Sequence, residues 1–155
     1  MLDVSRIRAI TLDLDDTLWP IGPTIRRAEA TLQAWLGQRA PATAALCAAP
    51  GAIREVRQQM NSQRPDLAHD MSALRRESIR VMLMRAGDDP ALAEPAFDAF
   101  FAERQRVEFY DDALPALEFL SSRFPVVALS NGNADVQRVG IGRHFCAAFS
   151  ATTLG

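Results

Sequence analysis

The chain has 155 residues, 48% of them hydrophobic and 23% charged, which is enough apolar mass for a globular core. A net charge of −2 and an isoelectric point near 5.7 give no electrostatic reason to bind nucleic acid, and no apolar stretch approaches the ~20 residues that span a bilayer. Met1-Leu2-Asp3 lacks the regions of a secretion signal, and Cys47 and Cys146 form no disulfide or metal spacing, so a cytoplasmic protein with two buried free thiols and no membrane contact is expected.

Ile7 to Leu14 read as a buried strand that runs abruptly into carboxylates and a hydroxyl, Asp13-Leu14-Asp15-Asp16-Thr17. The chain then turns at Trp19-Pro20-Ile21-Gly22-Pro23. Pro23 is placed to open a helix and Gly37 to stop it, with Ile25, Ala28, Leu32, Trp35 and Leu36 at helical spacing between them. Pro41 to Ala49 reads as one or two helical turns closed by Pro50-Gly51. Ile53, Val56 and Met60 mark another helix face, ending near Pro65. Asp66 to Ala86 is mostly periodic, with Gly87 as its stop, and Asp89 to Glu108 gives a further helix rich in Phe97, Phe100 and Phe101. Residues 20–108 thus predict four or five helices and no strand, with their methionines and phenylalanines as packing.

Ala113 to Arg123 predicts an amphipathic helix with Leu114, Leu117 and Leu120 on one face. Pro125 to Leu129 is nearly all apolar, as in a parallel strand covered on both faces. Ala134 to Val139 reads as helical turns broken by Gly140 and Gly142, and Phe145 to Ala151 as a third strand. This order predicts an α/β fold. Its Rossmann-like core, residues 1–19 and 109–155, is interrupted by an all-helical domain, residues 20–108. The insert enters at the carboxyl edge of the sheet, where open α/β sheets place their ligands, and so reads as a lid.

Residues two apart at a strand end point the same way, so Asp13 and Asp15 can converge. Two close carboxylates attract a hard divalent ion such as Mg²⁺. An ionised Asp can attack phosphorus, and a second carboxylate can protonate the leaving oxygen. After the second strand, Ser130-Asn131-Gly132-Asn133 sets a hydroxyl and an amide beside turn amides able to hold phosphate oxygens. An acidic turn with a helix cap, and a common Ser-Asn-Gly turn, are the plain alternatives.

Asp13-Leu14-Asp15-Asp16-Thr17-Leu18 resembles motif I of the haloacid dehalogenase-like (HAD) hydrolases, and Leu129-Ser130-Asn131-Gly132 resembles their motif II. The helical insert resembles the C1 cap of that family. The resemblance implies Asp13 as nucleophile, Asp15 as acid/base, and Thr17, Ser130, Asn131 and Gly132 around the phosphate. It further implies Mg²⁺ on the Asp13 side chain and the Asp15 carbonyl, and a small phosphorylated substrate. Haloacid dehalogenases proper lack the second acid, so Asp15 favours a phosphatase. Asn131-Gly132-Asn133-Ala134 and His69-Asp70-Met71 leading into Arg75 look like the bacterial branch with the flavin mononucleotide and 5-amino-6-(5-phosphoribitylamino)uracil phosphatases.

The chain departs from the family in two respects. All 17 basic residues are arginine, so no motif-III lysine exists, and no Asp or Glu follows Asp135 to supply motif IV. Arg is a poor substitute for a compact buried ammonium. These absences predict an incomplete core, negligible phosphatase activity for these 155 residues, and self-association through an unfinished sheet. A non-catalytic fragment that binds a partner is the rival reading, and a dehalogenase a weaker one.

Overall fold

The computed structural model describes residues 4–154 and divides into two compact units, one built from the chain up to Thr24 and from Gln105 onward, the other from Ile25–Arg104.

The first unit holds a parallel sheet in the order β1-β2-β3, formed by Ile10–Leu12, Val126–Ser130 and Ala147–Ser150. Its register pairs Leu12 with Ala128, and Ser130 with Ser150. β1 is shorter than the apolar run suggests, because Pro125 precedes β2 and offers its carbonyl to Ile10 N–H at 3.0 Å but has no N–H of its own. The helices α6 (Ala113–Ser121) and α7 (Val136–Val139) complete the unit. Leu14, Trp19, Leu117, Ala128, Val136 and Ile141 form its core. α6 buries Ala113 and Leu117 and leaves Leu114 and Phe119 exposed, so its packed face is rotated from the expected leucine stripe.

Only one sheet face is packed among the described residues. The register places Leu129 beside Phe149 on the other face, and both side chains are exposed. Beyond β3 the chain forms one helical turn, α8 (Ala151–Leu154), rather than more strand, with Thr153 Oγ1 accepting from Ser150 N–H at 2.8 Å. Both cysteines are free, and Cys146 is exposed rather than buried.

The second unit is all helical. It contains most of α1 (Ile21–Arg39) with α2 (Pro41–Ala48), α3 (Ala52–Gln63), α4 (Met71–Ala86) and α5 (Ala93–Arg104). α1 runs through Gly37 to Arg39, past the expected stop. The buried pair Leu36 and Ala40 holds the last turn, with Ala40 N–H donating to Leu36 O at 2.7 Å, and Pro41 then opens α2. Asp70 caps α4 by accepting from Ala73 N–H at 2.9 Å, and Gly87 ends it at φ 77°, a left-handed turn that suits glycine. Asp88 accepts from both the N–H and the hydroxyl of Thr43, at 2.8 and 2.7 Å, tying the end of α4 to α2. Ala28, Leu36, Ile79, Leu83, Phe97 and Phe100 lead the main core, with half-buried Trp35 against it; Val56, Met60 and Met82 form a second cluster between α3 and α4.

Candidate active site

The parallel register decides which loops meet. β1 ends at Leu12 opposite Ala128 and β2 ends two residues further on at Ser130, so both strands run out at the same edge of the sheet and the acidic turn after β1 lies against the Ser-Asn-Gly turn after β2. An ideal Cβ built on Gly132 would fall 2.4 Å from Asp15 Oδ2 and 3.4 Å from Ser130 Oγ. Only a residue without a side chain fits there. Ser130 is buried, and its hydroxyl oxygen accepts the Gly132 N–H at 3.1 Å while its proton stays free to donate.

The turn that carries Asp15 is tightly built. Leu18 N–H donates to Leu14 O at 2.8 Å, Asp16 N–H to Trp19 O at 2.8 Å, and Tyr110 N–H to Leu18 O at 3.0 Å. Asp16 adopts φ 57°, a left-handed conformation that Asp tolerates better than most residues, and its carboxylate accepts the Ile21 N–H at 2.9 Å at the start of α1. Trp19 is fully buried, packs edge-on against Phe109 at 5.6 Å, and donates its indole N–H to Asp15 Oδ1 at 2.8 Å. One oxygen of Asp15 is thereby held by the core and the other faces Gly132.

Asp15, Ser130 and Gly132 therefore come together. Asp13 lies exposed just past β1, and Thr17 and Asn131 are exposed in the two turns. The turn after β2 has a support that no sequence pattern announces. Gln105 is buried, its amide oxygen accepting from Asp135 N–H at 2.8 Å and its amide nitrogen donating to Asn133 O at 3.3 Å. Asp135 in turn caps α7 through Gln137 N–H at 2.8 Å. Trp19 and Gln105 are the two positioning side chains that the motifs alone did not reveal.

Among the described residues no group of three or more His, Cys, Asp or Glu side chains forms a metal cage. The donors present suit Mg²⁺ all the same, since that ion takes one or two carboxylates and fills its remaining positions with waters and a substrate phosphate.

Residues 7–155 match the haloacid dehalogenase-like hydrolase family. The 5-amino-6-(5-phospho-D-ribitylamino)uracil phosphatase YigB of Escherichia coli K12 is 30% identical over 146 residues, which is 92% of this chain and 60% of that protein. The crystal structure of a 2-haloacid dehalogenase from Pseudomonas syringae is 37% identical with a TM-score of 0.86, covering 96% of this chain and 65% of that one. The HAD-hydrolase YfnB of Bacillus subtilis, solved with magnesium, shares the fold at 18% identity with a TM-score of 0.60, covering 94% of this chain and 65% of its own. The chain thus spans somewhat less than two thirds of the length of each.

Proposed function

Because the chain belongs to the haloacid dehalogenase-like hydrolases, we propose that it carries the nucleophile end of a phosphomonoester hydrolase acting on a small cytoplasmic phosphate ester. Asp13 attacks phosphorus, the P–O bond to the leaving alcohol breaks, and that oxygen takes its proton from Asp15. Water then attacks the aspartyl-phosphate, gives its proton to Asp15, and inorganic phosphate leaves as Asp13 is regenerated. Ser130 and Asn131 donate to the phosphate oxygens beside the Gly132 turn, with Thr17 supporting the other side. Asp13 and the Asp15 carbonyl would hold Mg²⁺, which neutralises phosphate charge when bound.

One observation supports this reading most: the Asp15 carboxylate, fixed by Trp19, stands against Gly132 and Ser130. An acid/base must be oriented before it can move a proton, and here one oxygen is anchored while the other is turned to the second loop. The phosphatase YigB among its relatives points the same way. For this chain, a phosphoribityl-type ester of flavin synthesis is the substrate we favour.

The test uses a protein continued to the length of its relatives. Beryllium fluoride should trap Asp13, and Asp13→Asn should lower kcat by about a thousandfold or more, as loss of a nucleophile does. Turnover retained in Asp13→Asn would sink the mechanism.

The 37% identical dehalogenase supports a second reading, in which Asp13 displaces a halide from carbon. Chloride release from 2-chloropropanoate, without phosphate release from any ester, would favour it.

A further inference from the structure

The chain returns from the helical unit without a linker. α5 ends at Arg104, which is buried, and the next residue, Gln105, is already the first of the sheet unit and is buried in turn. Consecutive Cα atoms are about 3.8 Å apart, so no slack separates the last turn of α5 from Gln105. The outward crossing is a continuous helix, since α1 begins in the sheet unit at Ile21 and runs on into the helical one.

Both ends of the Gln105 amide are used on the turn after β2. The oxygen accepts from Asp135 N–H at 2.8 Å and the nitrogen donates to Asn133 O at 3.3 Å. The turn permits only this orientation, because a backbone N–H needs an oxygen opposite it and a carbonyl needs a donor. Residues 131–135 lie between the end of β2 and the start of α7 and belong to neither. Side chains hold their backbone instead, with Ser130 Oγ on Gly132 N–H at one end and Gln105 on Asp135 N–H at the other. Leaving either partner of a buried amide unpaired is unfavourable, so the turn and Gln105 move together or the bonds break.

We propose that Gln105 is a positioning residue that couples the helical unit to this turn. A displacement of α5 passes through the Gln105 amide to Asn133 and Asp135, and so to Ser130, Asn131 and Gly132. Phosphate affinity then depends on where α5 stands, through a residue that holds the turn rather than the ligand. That last step rests on the reading of Ser130 and Asn131 as phosphate donors; the mechanical link does not.

NMR of the 155-residue chain tests the link by itself. Phe101 is half-buried against the helical core and stacks on Phe97 at 5.3 Å, so Phe101→Leu perturbs α5 without touching the turn. It should shift the Asn133 and Asp135 amide resonances, and the shift should shrink about fivefold or more in Gln105→Met, which has a similar length and no amide. Gln105→Glu keeps an oxygen for Asp135 N–H and loses only the donor to Asn133 O, so it is the milder variant and should give an intermediate shift. A shift undiminished in every variant that folds, or absent from the parent background, overturns the proposal.

Kinetics of a protein continued to the length of its relatives test the positioning role. Gln105→Met should raise both KM for a phosphomonoester and the inhibition constant of inorganic phosphate about tenfold, with kcat changed less than about threefold. Turnover in the parent with both constants unmoved in the variant overturns that role and leaves the phosphatase reading intact. Absence of turnover in the parent counts against that reading, and the resonance shifts then decide the link.

Discussion

Asp15 shows how one residue's position depends on contacts that a motif does not contain. The Asp13-x-Asp15-x-Thr17 spacing is legible because it is local, and so is the strand that precedes it. The indole bond from Trp19 is not legible, because it needs the left-handed Asp16 and the closed turn to bring residue 19 back onto residue 15. Trp19→Phe removes that bond and part of a fully buried ring, so a loss of about 2–3 kcal/mol is expected in urea unfolding. An unchanged midpoint would mean that the indole carries none of the turn's stability. Gly132→Ala forces a methyl group to 2.4 Å from Asp15 Oδ2, and either the turn or the carboxylate must move. We expect it to destabilise the chain by about 1–3 kcal/mol and to shift the Asp15 carboxyl resonance in NMR; an unmoved resonance would refute the close approach.

At the scale of elements, the helices were readable from caps and periodicity wherever these agreed. Gly87 ends α4 as a left-handed stop should, but the helix opens at the Asp70 cap rather than at Asp66, where the periodic run begins. Gly37 misled, because glycine after a periodic run usually ends a helix, and nothing local says that Ala40 will be buried one turn on. Gly37 is exposed, helical, and open around the position of a Cβ. Gly37→Ala should therefore stabilise the chain by about 0.5–1 kcal/mol, seen as a rise of a few degrees in Tm; a fall in Tm would contradict the continuous helix. Asp70→Ala should cost about 1 kcal/mol through the lost cap to Ala73, by the same measurement. The face of α6 was misjudged in part for a related reason: Leu117 is buried as expected, but leucine spacing alone cannot tell that the small Ala113, not Leu114, joins the core beside it.

Across the whole molecule, composition and the two strand-end motifs were enough for the α/β class and the helical insert. They could not say that one sheet face stays open among the described residues. Leu129 and Phe149 stand side by side on that face, and adjacent exposed apolar side chains favour association. Sedimentation at tens of micromolar should show mass above the 17.0 kDa monomer, and Leu129→Glu with Phe149→Lys should return it to monomer. A monomer at every concentration would exclude the open face as a sticky surface. With no lysine to neutralise the proposed nucleophile and its phosphate, these 155 residues alone should hydrolyse phosphomonoesters negligibly; robust Mg²⁺-dependent release of phosphate would show that no lysine is needed.

The two tryptophans fall one to each compact unit, Trp19 beneath the acidic turn and Trp35 against the helical core. Each unit thus contains its own intrinsic fluorophore. Trp35→Phe leaves light only from the sheet unit and Trp19→Phe only from the helical one, so paired melts would report the unfolding of each unit by itself. Because the Trp19 indole is bonded to Asp15, its emission also serves as an optical gauge of whatever reaches that carboxylate, with no label added.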